Sequence, residues 1–171
     1  MSYRCKIAAL FVTMFVGAMG LTGCGGAISG PAPQFDLPIV NSPERASLQR
    51  HAGKDIVVLD FWATWCYPCV QAMPVIASVA EQYRGRGVVV YAVNQAESAD
   101  EVSAFIGKHG LGKMTVAMDA NQTVAQAYGV RGIPTTVVID KQGIIRNVHV
   151  GYSTNLGAEL RGELDSLLAE P

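Results

Sequence analysis

Two cysteines three residues apart, set where a strand should give way to a helix, limit the fold of this chain more than any other feature. Ile56-Val57-Val58-Leu59-Asp60-Phe61 is a β-branched apolar run of the kind that makes a strand covered on both faces. Trp65-Cys66-Tyr67-Pro68-Cys69 follows it. The pattern beyond predicts a helix from about Pro68 to Tyr83, kinked at Pro74, with Val70, Met73, Ile76, Ala77 and Ala80 on one face. The C-x-x-C spacing lets two sulfurs meet across one helical turn. At a helix start the unsatisfied N–H groups and the dipole stabilise a thiolate. Cys66 is therefore expected to be the exposed nucleophile and Cys69 the more buried resolving thiol. Zinc is the main competing reading, but a structural site wants four ligands, and neither a second C-x-x-C nor a spaced His pair is present. A purely structural disulfide would close too small a loop to add much stability. His51, His109 and His149 are scattered and read as surface or satisfied histidines.

The rest of the chain alternates in the same manner. Val88–Val93 reads as a second buried strand, and Ser98-Ala99-Asp100-Glu101 fits a capping box ahead of Val102, Phe105 and Ile106. A short strand near Met114–Met118 leads to Asp119, which is expected to N-cap a helix carrying Val124 and Tyr128. Thr135–Ile139 and Ile144–Val150 flank Asp-Lys-Gln-Gly as a hairpin, and Leu156, Leu160, Leu164 and Leu167 mark a closing amphipathic helix. Strands alternating with helices and then a late hairpin predict an α/β domain with a mixed central sheet flanked by helices. With 171 residues, half of them hydrophobic, the chain can bury a core without a disulfide framework. Its formal charge of −1 lacks the basic excess of a nucleic-acid binder.

The N-terminal segment has a different character. Arg4 and Lys6 precede an apolar run from Ile7 to Leu21, the layout of a secretory signal peptide. That run is short for a spanning helix and contains Gly17 and Gly20. It ends in Leu21-Thr22-Gly23-Cys24, which resembles the lipobox of bacterial lipoproteins. The resemblance implies cleavage after residue 23 and acylation of Cys24, which would anchor the protein in a lipid membrane, since two or more chains hold stably where one does not. Residues 1–23 are thus expected to be a signal peptide, 24–33 a flexible tether reaching on the order of 15–20 Å, and 34–171 the folded domain. Removing Arg4 and Lys6 leaves 11 basic against 14 acidic residues, a charge of −3 that gives the domain itself no reason to lie on anionic lipid.

Val57-Val-Leu-Asp-Phe-Trp-Ala-Thr-Trp-Cys-Tyr-Pro-Cys69, with Pro74 beyond it and Gly132-Ile133-Pro134-Thr135-Thr136 downstream, resembles a thioredoxin-like fold. More narrowly, it is similar to the TlpA/ResA class of membrane-tethered thiol–disulfide oxidoreductases. Phe35-Asp-Leu-Pro38, Tyr128-Gly-Val-Arg131 and Ile139-Asp-Lys-Gln-Gly143 extend the likeness. The class implies an added helix and strand between the C-x-x-C helix and the cis-proline, placed here within Ala96–Met118. It also implies that Pro134 is the cis-proline that packs on the C-x-x-C, keeps metal from settling between the thiols and leaves a backbone edge, with Ile133, for a substrate strand. Asp60 resembles the buried Asp of thioredoxin that deprotonates the resolving thiol, a role that burial favours by raising its pKa; the bland reading is a strand-end carboxylate reaching solvent. Trp62, Trp65 and Tyr67, with Pro68, are expected to rim the site, although Trp62 equally suits core packing. Where many class members carry Glu, this chain has Ala72, which leaves their acidic pocket in doubt.

The expected reaction is thiol–disulfide exchange through Cys66 and Cys69, with no metal or organic cofactor. The class implies a monomeric reductase that serves client protein disulfides, in cytochrome c maturation or similar tasks, and is recharged by a membrane thiol electron donor. The location implied is the bacterial cell envelope, with the domain in the periplasm or outside the plasma membrane. An oxidase or isomerase is the same-class rival. A copper-handling relative would tend to carry C-x-x-x-C and a downstream His, and a peroxidase of the superfold Thr-x-x-Cys.

Overall fold

Every residue from Ile56 to Trp62 is buried, and a strand with no exposed face must lie in the middle of a layered structure. A computed structural model describes residues 30–170 and places it so. The strands are β1 (Gly30–Pro31), β2 (Asp36–Pro38), β3 (Arg45–Ser47), β4 (Ile56–Trp62), β5 (Val88–Gln95), β6 (Thr115–Asp119), β7 (Thr135–Ile139) and β8 (Ile144–Val150). The helices are α1 (Tyr67–Tyr83), α2 (Ala99–His109), α3 (Thr123–Ala127) and α4 (Leu156–Ala169), with a 3-10 turn at Leu48–His51. Six strands form one mixed sheet in the order β1-β8-β7-β4-β5-β6, while β2 and β3 pair separately. β5 runs parallel to β4 and β6, whereas β7 is antiparallel to β4 and β8. This is the thioredoxin-like mixed sheet flanked by helices, and α2 with β6 lies within the segment between α1 and Pro134, between β5 and α3.

The period of two in β4 divides the core. Val57, Leu59 and Phe61 face a cluster with Phe35, Leu37, Leu48 and Tyr128. Ile56 and Val58 face the other way, onto Ala72, Ile76 and Val79 of α1 and the leucines of α4. Trp62 shares that second face and packs with Cys66, Cys69, Met73, Val102 and Ile106. Asp60 has the same parity as Ile56, Val58 and Trp62, so a carboxylate lies in the layer between the sheet and its helices.

Several expectations are corrected. Residues 30–33 belong to the fold and not to a tether: Gly30 and Pro31 pair with Ile145 and Ile144, Ala32 is buried, and the Pro33 carbonyl accepts from the Tyr128 hydroxyl at 2.7 Å. Asp119 is not an N-cap but the last residue of β6; Gln122 precedes α3, and the Asp119 carboxylate reaches across the turn to the N–H groups of Val124 and Ala125. α1 begins at Tyr67 and runs through Pro74 to Tyr83. The capping box at Ser98 and Glu101 is formed, with Gly110 in the left-handed region after α2. The expected signal peptide and Cys24 lie outside the described residues. Among the described residues, no helix is long and apolar enough to cross a membrane.

Candidate active site

β4 delivers the chain to the end of the sheet, and a turn closed by Cys66 N–H donating to the Ala63 carbonyl at 3.1 Å redirects it into α1. Cys66 is the N-cap of α1, with extended backbone, and its sulfur accepts from the Cys69 N–H at 3.3 Å. Pro68 sits in the first turn, where no intrahelical N–H bond is lost. Cys66 and Cys69 form a disulfide with their Cα atoms 5.2 Å apart. Cys69 is fully buried and Cys66 is 4% exposed. The order of exposure is as expected, but the open sulfur expected at Cys66 is absent from this oxidised state. Its sulfur is turned back onto Cys69 and the helix start, and Ile133 packs against the same cluster.

Trp65 and Tyr67 are each 72% exposed, unusual for large aromatic side chains on a soluble surface. Pro68 is exposed beside them. Trp62 does not join this rim: its strand parity turns it inward, where it is fully buried with its ring centroid 5.5 Å from that of Phe105. Ile133 is half-buried and Pro134 buried, and the peptide between them is cis. The Pro134 carbonyl accepts from Gly151 N–H at 2.8 Å, which ties the start of β7 to the end of β8.

Asp60 is fully buried, and its register partner across β7 is Thr136. The Thr136 hydroxyl donates to Asp60 Oδ1 at 2.8 Å, while Oδ2 has no partner among the described residues. Burial raises the Asp60 pKa from 3.8 to about 7, against the smaller lowering effect of the Thr136 bond. Such a carboxyl can both take and give a proton near neutrality. Ala72, the departure from the class pattern, is fully buried on α1, so an acid there would have entered the helix–sheet layer.

The histidines are engaged elsewhere. His51 bonds Asp55 at 2.9 Å and the Tyr91 hydroxyl at 2.8 Å, and His149 lies 3.0 Å from Glu163. His109 stacks on Phe105. Three residues at the site escape the sequence reading. Thr136 is visible as a Thr two residues past the proline, but only the register reveals that it meets Asp60. Glu97, in the loop after β5, reaches the turn before Cys66 and holds Thr64, and Asn94, near the end of β5, donates to the same carboxylate. A lone Glu after a strand carries no signal of that contact.

A C-x-x-C disulfide at a helix start, beside a cis-proline loop on this sheet, defines a thiol–disulfide oxidoreductase of thioredoxin-like fold. Residues 28–164 match the Redoxin family, and the chain belongs to it. It is 39% identical over 137 residues to the thioredoxin-like protein YneN of Bacillus subtilis, an alignment covering 78% of each chain. It is 34% identical over 141 residues to the thiol-disulfide oxidoreductase ResA of Geobacillus thermodenitrificans, covering 82% of this chain and 78% of that one. The crystal structure of a thiol:disulfide interchange protein DsbE from Chlorobium tepidum is similar at a TM-score of 0.75 and 31% identity, covering 82% of this chain and 97% of that one.

Proposed function

We propose that the protein is a membrane-tethered, extracytoplasmic reductase of protein disulfides, in which Cys66 attacks and Cys69 resolves. The observation that carries this reading is the placement of the pair. A disulfide caps α1 beneath two exposed aromatic side chains, and an under-bonded carboxyl is buried in the layer behind it.

In the reduced protein, the Cys66 thiolate attacks one sulfur of a client disulfide. The client S–S bond breaks, its other sulfur leaves as a thiolate and takes a proton, and a mixed disulfide joins Cys66 to the client. Asp60, ionised, takes the Cys69 proton, directly or through water. The Cys69 thiolate then attacks Cys66, breaking the mixed disulfide and forming the Cys66–Cys69 bond. The departing client thiolate collects the second proton. Two electrons have moved from enzyme to client, with one proton from Cys69 and one from solvent in place of the proton Cys66 gave up on ionising, and a membrane thiol donor restores the dithiol. Trp65, Tyr67 and Pro68 meet the apolar flanks of the client, and the backbone at Ile133 and Pro134 pairs with its extended segment. Neither metal nor organic cofactor takes part. Cys24, acylated, holds the domain at the membrane, and clients of the cytochrome c maturation type fit the class resemblance.

Cys69→Ser tests the reading by stalling the reaction at the mixed disulfide. Clients captured through Cys66 and lost in the Cys66→Ser, Cys69→Ser double variant are the expected result. A redox titration fixes direction: a potential near that of thioredoxin, about −270 mV, agrees with a reductase, whereas one near −120 mV assigns an oxidase. Palmitate labelling that disappears in Cys24→Ala is expected for the lipid anchor, and labelling that persists would reject it.

A further inference from the structure

Ala63, Thr64, Trp65 and Cys66 carry the chain from β4 into α1, so the pose of the Cys66 sulfur depends on what fixes this turn. Glu97 fixes it from outside. Its Oε2 accepts from the Thr64 N–H at 2.7 Å, and its Oε1 accepts from the Thr64 hydroxyl. The same Oε2 accepts from Asn94 Nδ2 at 2.7 Å, and Asn94 is fully buried in register with Trp62. The carboxylate thus bolts the turn to the end of β5. Ala96, the residue before Glu97, has a φ of 56°, a left-handed conformation unfavourable to a residue that bears a β-carbon. Among the described residues no Lys, Arg or His pairs with Glu97. All of its bonds are to neutral donors, so its negative charge is left uncompensated beside the turn.

We propose that Glu97 is a positioning residue for thiol–disulfide exchange, locking the Thr64 turn that presents Cys66 and using its charge to hold the Cys66 thiolate less stable than the start of α1 alone would make it. This rests on Cys66 being the attacking thiol. The lock acts on geometry, because a Thr64 N–H donated to Glu97 is unavailable to the sulfur. The charge acts through space. Thr64 and Cys66 are separated by two Cα–Cα steps of about 3.8 Å, which places the carboxylate on the order of 10 Å from the sulfur. That is about one Debye length at moderate salt, where a unit charge shifts an ionisation by roughly 0.3–1 pH unit. A less stable thiolate means a less stable reduced form. Glu97 therefore biases the pair toward giving electrons away.

The test uses the full-length protein. In a Cys69→Ser background the Cys66 thiol is titrated by its absorbance at about 240 nm, and with both cysteines present the pair is equilibrated against glutathione. Glu97→Gln is expected to lower the Cys66 midpoint by roughly 0.3–1 pH unit and to shift the pair toward the dithiol. Thr64→Val, which removes one bond and keeps the charge, is expected to leave the midpoint in place and slow exchange with oxidised glutathione several-fold; Thr64→Ser is expected to restore the rate. A purely structural Glu97 would lower the melting temperature of Glu97→Gln and leave midpoint and equilibrium unmoved, which overturns the proposal. The Thr64 arm stands whether or not Glu97→Gln folds, and an unchanged rate in Thr64→Val rejects the lock. Undiminished exchange by Cys66→Ser would instead overturn the assignment of Cys66, and this proposal with it. A reactive Cys66 indifferent to Glu97 overturns this proposal alone.

Discussion

At the start of β7 the Thr136 hydroxyl gives the buried Asp60 its one hydrogen bond among the described residues. At the end of the same strand Asp140, also buried, is fully served. Its Oδ1 accepts from the N–H groups of Gln142 and Ile144, both at 2.9 Å, and Oδ2 from Arg146 at 3.2 Å. The difference follows from where backbone donors are free. A hairpin turn has N–H groups outside the ladder, and a carboxylate beginning the turn collects them. Asp60 sits in β4, flanked by β5 and β7, where the backbone donors are committed to neighbouring strands. Only a side chain can serve it, and among the described residues only Thr136 does. A carboxylate with all its donors holds a structure together. One left short of donors is available for a proton.

The sharpest way to break this contrast is through pH. With a folded pKa near 7 against 3.8, Asp60 is protonated in both states at low pH. As pH rises from about 4 to 7 the unfolded chain ionises first, so stability is lost across that window and is level above it. The loss amounts to about 4 kcal/mol for a shift of this size. Urea unfolding of wild type and Asp60→Asn at pH 4, 5.5, 7 and 8 should show that slope only in wild type; parallel curves would end the distinction. Next in size is the kinetic effect. Asp60→Asn should slow resolution of the mixed disulfide about 100-fold, and unchanged exchange rates across pH 6–9 would remove Asp60 from the proton path. For Asp140→Ala, thermal unfolding should show about 1–3 kcal/mol of lost stability, with exchange within twofold of wild type. A large loss of exchange there would mean that the two ends of β7 are not separate in function. The smallest effect belongs to Thr136→Val. Losing the one donor should raise the Asp60 midpoint by up to about one pH unit, about 1.4 kcal/mol, read as a shift in the pH dependence of the exchange rate.

Much of this frame was legible because it is written in local pattern. The apolar run of β4, the Ser98 capping box, the hairpin residues and the leucines of α4 each declare themselves within a few positions. The C-x-x-C declared its place because strand and helix signals meet at it. What stayed hidden is long-range or too short to have a period. β1, β2 and β3 are two or three residues each, so residues 30–33 read as linker when the first two are sheet and the next two are held against the fold. Trp62 could be rim or core until the parity of β4 was known. Asp119 looked like a cap because spacing does not say how far a carboxylate reaches across a turn. Thr64 and Glu97 are 33 residues apart, and nothing in either residue's neighbourhood announces the other. Asp60 was legible as an odd carboxylate in an apolar strand. That it lacks a second donor was not.

The brevity of β1 has a consequence for how these molecules behave in a crowd. β1 covers only Ile144 and Ile145 of β8, so among the described residues the outer margin of β8 from Arg146 to Val150 has no neighbouring strand. Such a margin is a template on which another molecule's strand can grow. Here Asn147 bends its side-chain oxygen back to the Val148 N–H at 2.9 Å, spending a donor the template would offer, and Arg146 sets a charge beside it. A protein that keeps two bare aromatic rings at its working end gains from blunting the other adhesive surface it owns.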